Sequence, residues 1–251
     1  MDREGDTLQS VFRTGFLILL FEFCGTIMLT VFQRMIPGLG FVFAYWWIVV
    51  ICENISGSHF NPAVTLTFML RKDKGRFHWP LGFAYIIVQF IGAFCGALIA
   101  YLFTKNGGML GIGKNFNDDS YIFQAVLSET FGSFLYIFVF LIQTEKSTKC
   151  SQDLALWSLV IASALGSVIT YNGFVTGSMN PAYCFGVAMT MIMNGRGDHI
   201  KFIWIFLIFP FVGGILSLLF YEFVYKKTQV MVEEDYQHRT TRRQGRLLED
   251  E

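Results

Sequence analysis

Apolar residues run almost unbroken through six stretches, at roughly 14–36, 39–54, 79–103, 121–143, 153–172 and 200–225. A helix needs about 20 consecutive apolar residues to cross a bilayer. The alternation of apolar and polar positions that a membrane β-barrel requires is absent. The pattern predicts an all-α membrane protein with six transmembrane helices. Two further apolar segments, VTLTFML at 64–70 and YCFGVAMTMIM at 183–193, are helix-sized but too short to span. Each follows an Asn-Pro-Ala triplet: Asn61-Pro62-Ala63 and Asn180-Pro181-Ala182.

The triplet reads as a helix start. Asparagine caps well, because its side-chain oxygen accepts from an early helical N–H. Proline suits the first helical position, where its missing N–H would have had no partner anyway. Gly57 and Gly177, a few residues earlier, permit a tight extended approach. Each triplet therefore begins a half-helix.

The two halves of the chain repeat one design. EFCGT at 22–26 matches ETFGS at 129–133, SGSHFNPAV at 56–64 matches VTGSMNPAY at 175–183, and QFIGA at 89–93 resembles PFVGG at 210–214. The order is the same in both halves. Each half holds an odd number of spans, three, so the second half must run in the opposite direction. An inverted repeat follows, with the two re-entrant half-helices meeting near the midplane. Non-helical backbone at that depth is tolerated only when buried in protein or lining a wet cavity. Carbonyls from 56–60 and 174–179, beside two asparagine amides, form a ladder for small hydrogen-bonding solutes. The half-helices aim their positive ends at the centre, which opposes cations and protons.

Composition agrees: 53% of residues are hydrophobic and 17% aromatic. Formal net charge is zero, so nothing points to nucleic acid. Charge placement is more informative. With both termini inside, inner segments carry 14 Lys and Arg and outer ones only five: Arg34, Lys105, Lys114, Arg196 and Lys201. The positive-inside rule selects that orientation, RKDKGR at 71–76 being its clearest marker. The first apolar run is too long for a cleavable signal and lacks a small-residue cleavage site. The expected division is a cytosolic N-terminus at 1–13, a channel-like domain at 14–225 (repeats at about 14–103 and 121–225) and a cytosolic tail at 226–251. The five cysteines have no metal spacing, and neither a metal nor another cofactor is expected. No nucleophile–base set or nucleotide loop marks an enzyme.

The paired SGSHFNPAV and TGSMNPAY, with EFCGT and ETFGS, resemble the aquaporin (major intrinsic protein) family over about residues 14–225. The resemblance implies a six-helix bundle with two half-helices, a pore in each subunit and usually a homotetramer. It assigns Asn61 and Asn180 to the pore. Its outer filter falls on Phe41, Val168, Gly177 and Tyr183. Water-selective members usually carry His where Val168 stands, and most members carry Arg where Tyr183 stands. This filter is aromatic and apolar, and three outcomes stay open: passage of small uncharged solutes such as glycerol, urea or ammonia, passage of water, or an outer mouth closed by Tyr183. Glycerol-conducting members typically have Asp where this chain has Cys184, which weighs against glycerol.

Glu22 and Glu129 are ionisable groups inside spans, which raises functional suspicion. The stronger reading is support: each can accept hydrogen bonds from the irregular loop before its Asn-Pro-Ala. His59 reads equally as a residue of the inner pore mouth and as a hydrogen-bonded loop residue. The former would make it a pH gate. Gly92/Gly96 and Gly213/Gly214 let helices cross closely. The leading function is a passive channel for water or small neutral solutes. The alternative is a non-conducting structural or interaction subunit of a larger membrane assembly, motivated by Tyr183.

Overall fold

The computed structural model describes residues 3–71, 78–105, 119–172 and 178–249. Six long helices follow the six apolar runs: α1 (Arg3–Met35), α2 (Leu39–Ser56), α4 (Trp79–Thr104), α5 (Asp119–Thr144), α6 (Leu154–Asn172) and α8 (Ile203–Phe220). Two short ones, α3 (Pro62–Leu70) and α7 (Pro181–Met193), begin at the prolines of the triplets. At 9 and 13 residues they reach roughly 14 and 20 Å, against a hydrocarbon core about 30 Å thick. Neither can span, as the sequence requires.

Two ends differ from the apolar pattern. Helix α1 starts at Arg3, well ahead of residue 14; the polar run before the membrane contains no proline, and its one poor helix former, Gly5, lies within the first turn. Beyond α8 a π turn (Tyr221–Tyr225) leads into α9 (Lys226–Glu249), so the polar tail continues as helix.

Contacts between helices repeat across the two halves. α1 packs on α2 and α4, as α5 packs on α6 and α8. Each half-helix crosses over to the last span of the opposite half, α3 to α8 and α7 to α4, and the halves also meet through α2 on α6. Glycines set the closest approaches. A Cβ on Gly96 would lie 2.7 Å from the backbone oxygen of Ile27, and one on Gly213 would run into that of Thr130. The α1–α4 and α5–α8 crossings are thus built the same way, backbone against backbone.

The packing is inside-out relative to a water-soluble protein. Glu22, Thr26, Thr65, Gln89 and Glu129 are fully buried, while Phe16, Leu39, Phe103 and Phe123 are 59–75% exposed. An apolar belt of this kind is stable only against lipid. Among the described residues, five helices are long and apolar enough to cross a membrane, and α6 lies between α2 and α5.

Candidate functional site

The half-helices begin with reciprocal geometry. Asn61 is extended (φ −152°, ψ 121°) and its Oδ1 accepts from Ala63 N at 2.9 Å. Asn180 is extended too, and its Oδ1 accepts from Ala182 N at 3.0 Å and Tyr183 N at 3.3 Å. Each asparagine then spends its amide on the other tip. Asn61 Nδ2 donates to Met179 O at 2.8 Å, and Asn180 Nδ2 donates to Phe60 O at 2.9 Å. The two accepting residues are the ones just before the triplets, and both are left-handed, with φ 48° at Phe60 and 47° at Met179. Such a conformation costs a non-glycine residue on the order of 1–3 kcal/mol and persists only where surroundings enforce it. Here it points each carbonyl at the opposite asparagine.

The buried glutamates do the enforcing. Glu22 on α1 accepts from Phe60 N and, at 2.7 Å, from Gln89 Nε2. Glu129 on α5 accepts from Ser178 N at 3.2 Å and Met179 N at 2.8 Å. Backbone N–H groups buried at membrane depth would otherwise lack acceptors, at about 1–3 kcal/mol each. The glycine of the first Glu-x-x-Gly also has a local purpose: a Cβ on Gly25 would collide with the Phe60 ring. Glu22 therefore holds the backbone of Phe60 while Gly25 makes room for its side chain. Both glutamates accept from the backbone of the loops that precede the triplets.

The filter positions divide. Phe41 and Val168 join one buried cluster with Met179, at 3% and 7% exposure. Tyr183 is half-buried in the first turn of α7 and packs with the second cluster, which includes Ala125, Cys184 and Phe206. Gly177 lies outside the described residues. Cys184, where a carboxylate would mark a glycerol-type filter, gives its thiol to Ser178 Oγ.

His59 is 4% exposed. Its Nδ1 lies 3.2 Å from Thr65 Oγ1, and its ring sits 4.7 Å from Phe68 and 5.5 Å from Tyr85. It is thus built into the wall beside the first tip.

Sequence reasoning missed three features. Gln89 Nε2 bridges Glu22 and Thr65 Oγ1 (2.8 Å), tying the support of the first tip to its half-helix. Its signal was visible: QFIGA and PFVGG differ first at that position. The second is a clamp at the C-terminal ends of α3, α5 and α8. Glu145 accepts from Arg71, which caps α3, from Tyr221 Oη at 2.7 Å and from Lys226 Nζ at 3.1 Å. Burial alone would raise the Glu145 carboxyl, but the Tyr221 hydroxyl and the two cations outweigh it and hold it below its ordinary value. The third is the pairing of Tyr45 and Tyr136, whose hydroxyls meet at 2.7 Å.

Comparison with known proteins agrees with this geometry. The Major intrinsic protein family profile matches residues 15–221. Aquaporin AqpM of Methanothermobacter thermautotrophicus is 31% identical over 196 residues, covering 74% of this chain and 75% of the relative. The probable aquaporin TIP2-2 of Oryza sativa subsp. japonica is 33% identical over 189 residues, 70% of this chain and 66% of that protein. Among solved structures, the aquaglyceroporin from Plasmodium falciparum superposes with a TM-score of 0.64 at 20% identity, covering 84% of this chain and 97% of that one. At that identity the likeness speaks for the fold.

Proposed function

The chain belongs to the major intrinsic protein family, and from that premise we propose that it is a passive membrane channel for water and small uncharged solutes. The observation that carries this reading is the crossed pairing of Asn61 with Met179 O and of Asn180 with Phe60 O. It fixes two positive helix ends nose to nose and leaves a run of loop backbone without helical partners. Each asparagine Nδ2 has a second hydrogen to offer a solute, and each carbonyl a second lone pair. A neutral molecule that both donates and accepts can exchange its water for these groups, while the converging dipoles repel a cation.

At the outer mouth, Phe41, Val168, Gly177 and Tyr183 form a filter without a fixed charge. Tyr183 offers one hydroxyl where a guanidinium would offer several donors. Such a filter discriminates by size and by apolar contact, and admits urea, ammonia or glycerol according to width. On the inner side His59 borders the passage beside the first tip. Both termini face the cytosol, 14–225 forms the channel domain, 226–251 projects from it, and four copies assemble.

Stopped-flow light scattering on proteoliposomes tests this, with osmotic, urea, glycerol and ammonia gradients. Flux of at least one solute above that of empty vesicles is expected, and Tyr183→Ala should widen the range of solutes passed. Wild-type and Tyr183→Ala vesicles both indistinguishable from empty ones would refute it. Flux from the variant alone would instead favour the reading of a subunit whose outer mouth is closed.

A further inference from the structure

Tyr45 and Tyr136 belong to different repeats, 91 positions apart, yet their hydroxyls meet at 2.7 Å. Their helices are not packing partners in the way of α1 and α4: α2 leans on α1 and α6, and α5 on α6 and α8. The two side chains therefore reach toward each other across the interior of the bundle. Both are out of reach of water, at 0% and 1% exposure.

The faces that carry them are the faces turned to the helix tips. Tyr136 follows Glu129 by seven residues, two helical turns or roughly 10 Å along the same side of α5. Glu129 on that side holds the second tip through Ser178 N and Met179 N. Tyr45 follows Phe41 by one turn of α2, and their rings stack 6.1 Å apart and 7° from parallel. Both tyrosines share one buried cluster with the tip residues Phe60, Ala63 and Met179.

Their hydrogen bonding is incomplete. One hydroxyl donates and the other accepts. Whichever accepts keeps its own O–H, which has no acceptor among the described residues. A buried hydroxyl whose one partner is another hydroxyl keeps a donor that can be offered to a further acceptor.

We propose that Tyr45 and Tyr136 form a latch across the passage, opposite the asparagine tips. A passing neutral solute with hydroxyl or amide groups breaks the Oη–Oη bond and takes both hydroxyls as transient partners. This rests on the channel reading above. The pair sets a second narrow point, separate from the outer filter, and favours solutes that donate and accept at once. Closed, it seals the passage; opened by rotation of either ring, it supplies polar groups on a wall that is otherwise apolar.

Wild type, Tyr45→Phe, Tyr136→Phe, the double Phe variant and Tyr136→Leu are each reconstituted in phosphatidylcholine vesicles. Size exclusion and thermal melting show that each is folded before flux is read. Loss of the Oη–Oη bond should raise water flux about five-fold, the factor equivalent to one ordinary hydrogen bond. The double Phe variant should match either single one, because all three lack the same bond. Tyr136→Leu, which removes the ring contact as well, should conduct most and pass the bulkiest solute. A wild type that conducts above empty vesicles, with Tyr136→Leu and the Phe variants at its rate, would overturn the latch and leave the channel reading standing. No flux from any folded protein would remove the channel reading and the latch together. A wild type that conducts above empty vesicles, with the Phe variants faster and Tyr136→Leu faster still, would support the latch.

Discussion

Asn61 donates its side-chain amide to the carbonyl of Met179 across the junction between the two repeats, at 2.8 Å. Through its other atom, Oδ1, it caps its own half-helix. One side chain thus ends the irregular loop of its own repeat and fixes that of the opposite repeat. Asn180 repeats the arrangement in reverse, and the two tips are positioned as a unit.

That coupling is measurable. Asn61→Ala removes a cap worth about 1 kcal/mol together with a cross-tip bond of similar size. Asn180→Ala should do the same. Because each tip braces the other, the double variant should depart from additivity by about 0.5–3 kcal/mol. Thermal unfolding in detergent of the two single variants and the double reads the difference. Strict additivity would mean that the tips are held separately.

Glu129 is predicted to be a structural acceptor rather than a proton carrier. Glu129→Ala leaves the N–H groups of Ser178 and Met179 without the carboxylate, at about 1–3 kcal/mol each. Glu129→Gln keeps one acceptor oxygen and should lose less. If proton movement were its task, Glu129→Gln would instead change proton flux while melting stayed at the wild-type temperature.

The crossing of α1 and α4 leaves no room at Gly96. Gly96→Val should destabilise the protein by about 1–3 kcal/mol through backbone displacement. The same change at Gly15, where a Cβ would meet nothing within 4 Å, should not. Melting temperatures of the two variants compare the positions directly.

Glu145 supplies a pH dependence whose sign is fixed. Its carboxyl is held below the ordinary value in the folded protein. Its contribution is therefore complete above the ordinary glutamate range, roughly pH 4–4.5, and fades as pH falls through the lower folded value. Melting should be insensitive to this group at neutral pH and weaken on acidification. Glu145→Gln should melt earlier at pH 7 and lose this part of the acid sensitivity. An unchanged acid profile in the variant would show that the clamp to Arg71 and Lys226 carries no stability.

Much of the architecture was legible because bilayer thickness ties function to run length. The six spans, both half-helices and the inverted repeat follow from apolar runs, the Asn-Pro-Ala triplets and the matched Glu-x-x-Gly. Glu22 and Glu129 stood out for the same reason: irregular backbone at depth needs acceptors, and both carboxylates accept from loop N–H groups. The Arg71–Glu145 clamp and the Tyr45–Tyr136 pair were not. Their partners lie 74 and 91 positions apart, and no local pattern announces a contact of that range. Helix α9 escaped notice because most of its residues are polar and apolar ones such as Val230, Met231 and Val232 fall side by side rather than at helical spacing. The packing of Tyr183 with α5 and α8 residues, apart from Phe41 and Val168, depends on side-chain direction, which spacing does not supply.

The most direct test of the central claim is the initial rate of osmotic shrinkage of proteoliposomes in a stopped-flow instrument. Vesicles carrying wild type are compared with empty ones and with vesicles carrying folded Asn61→Ala, Asn180→Ala double variant. Wild type is predicted to shrink faster than both. Equal rates in all three, for water and for urea in turn, would contradict a passage built on the meeting of the two helix tips.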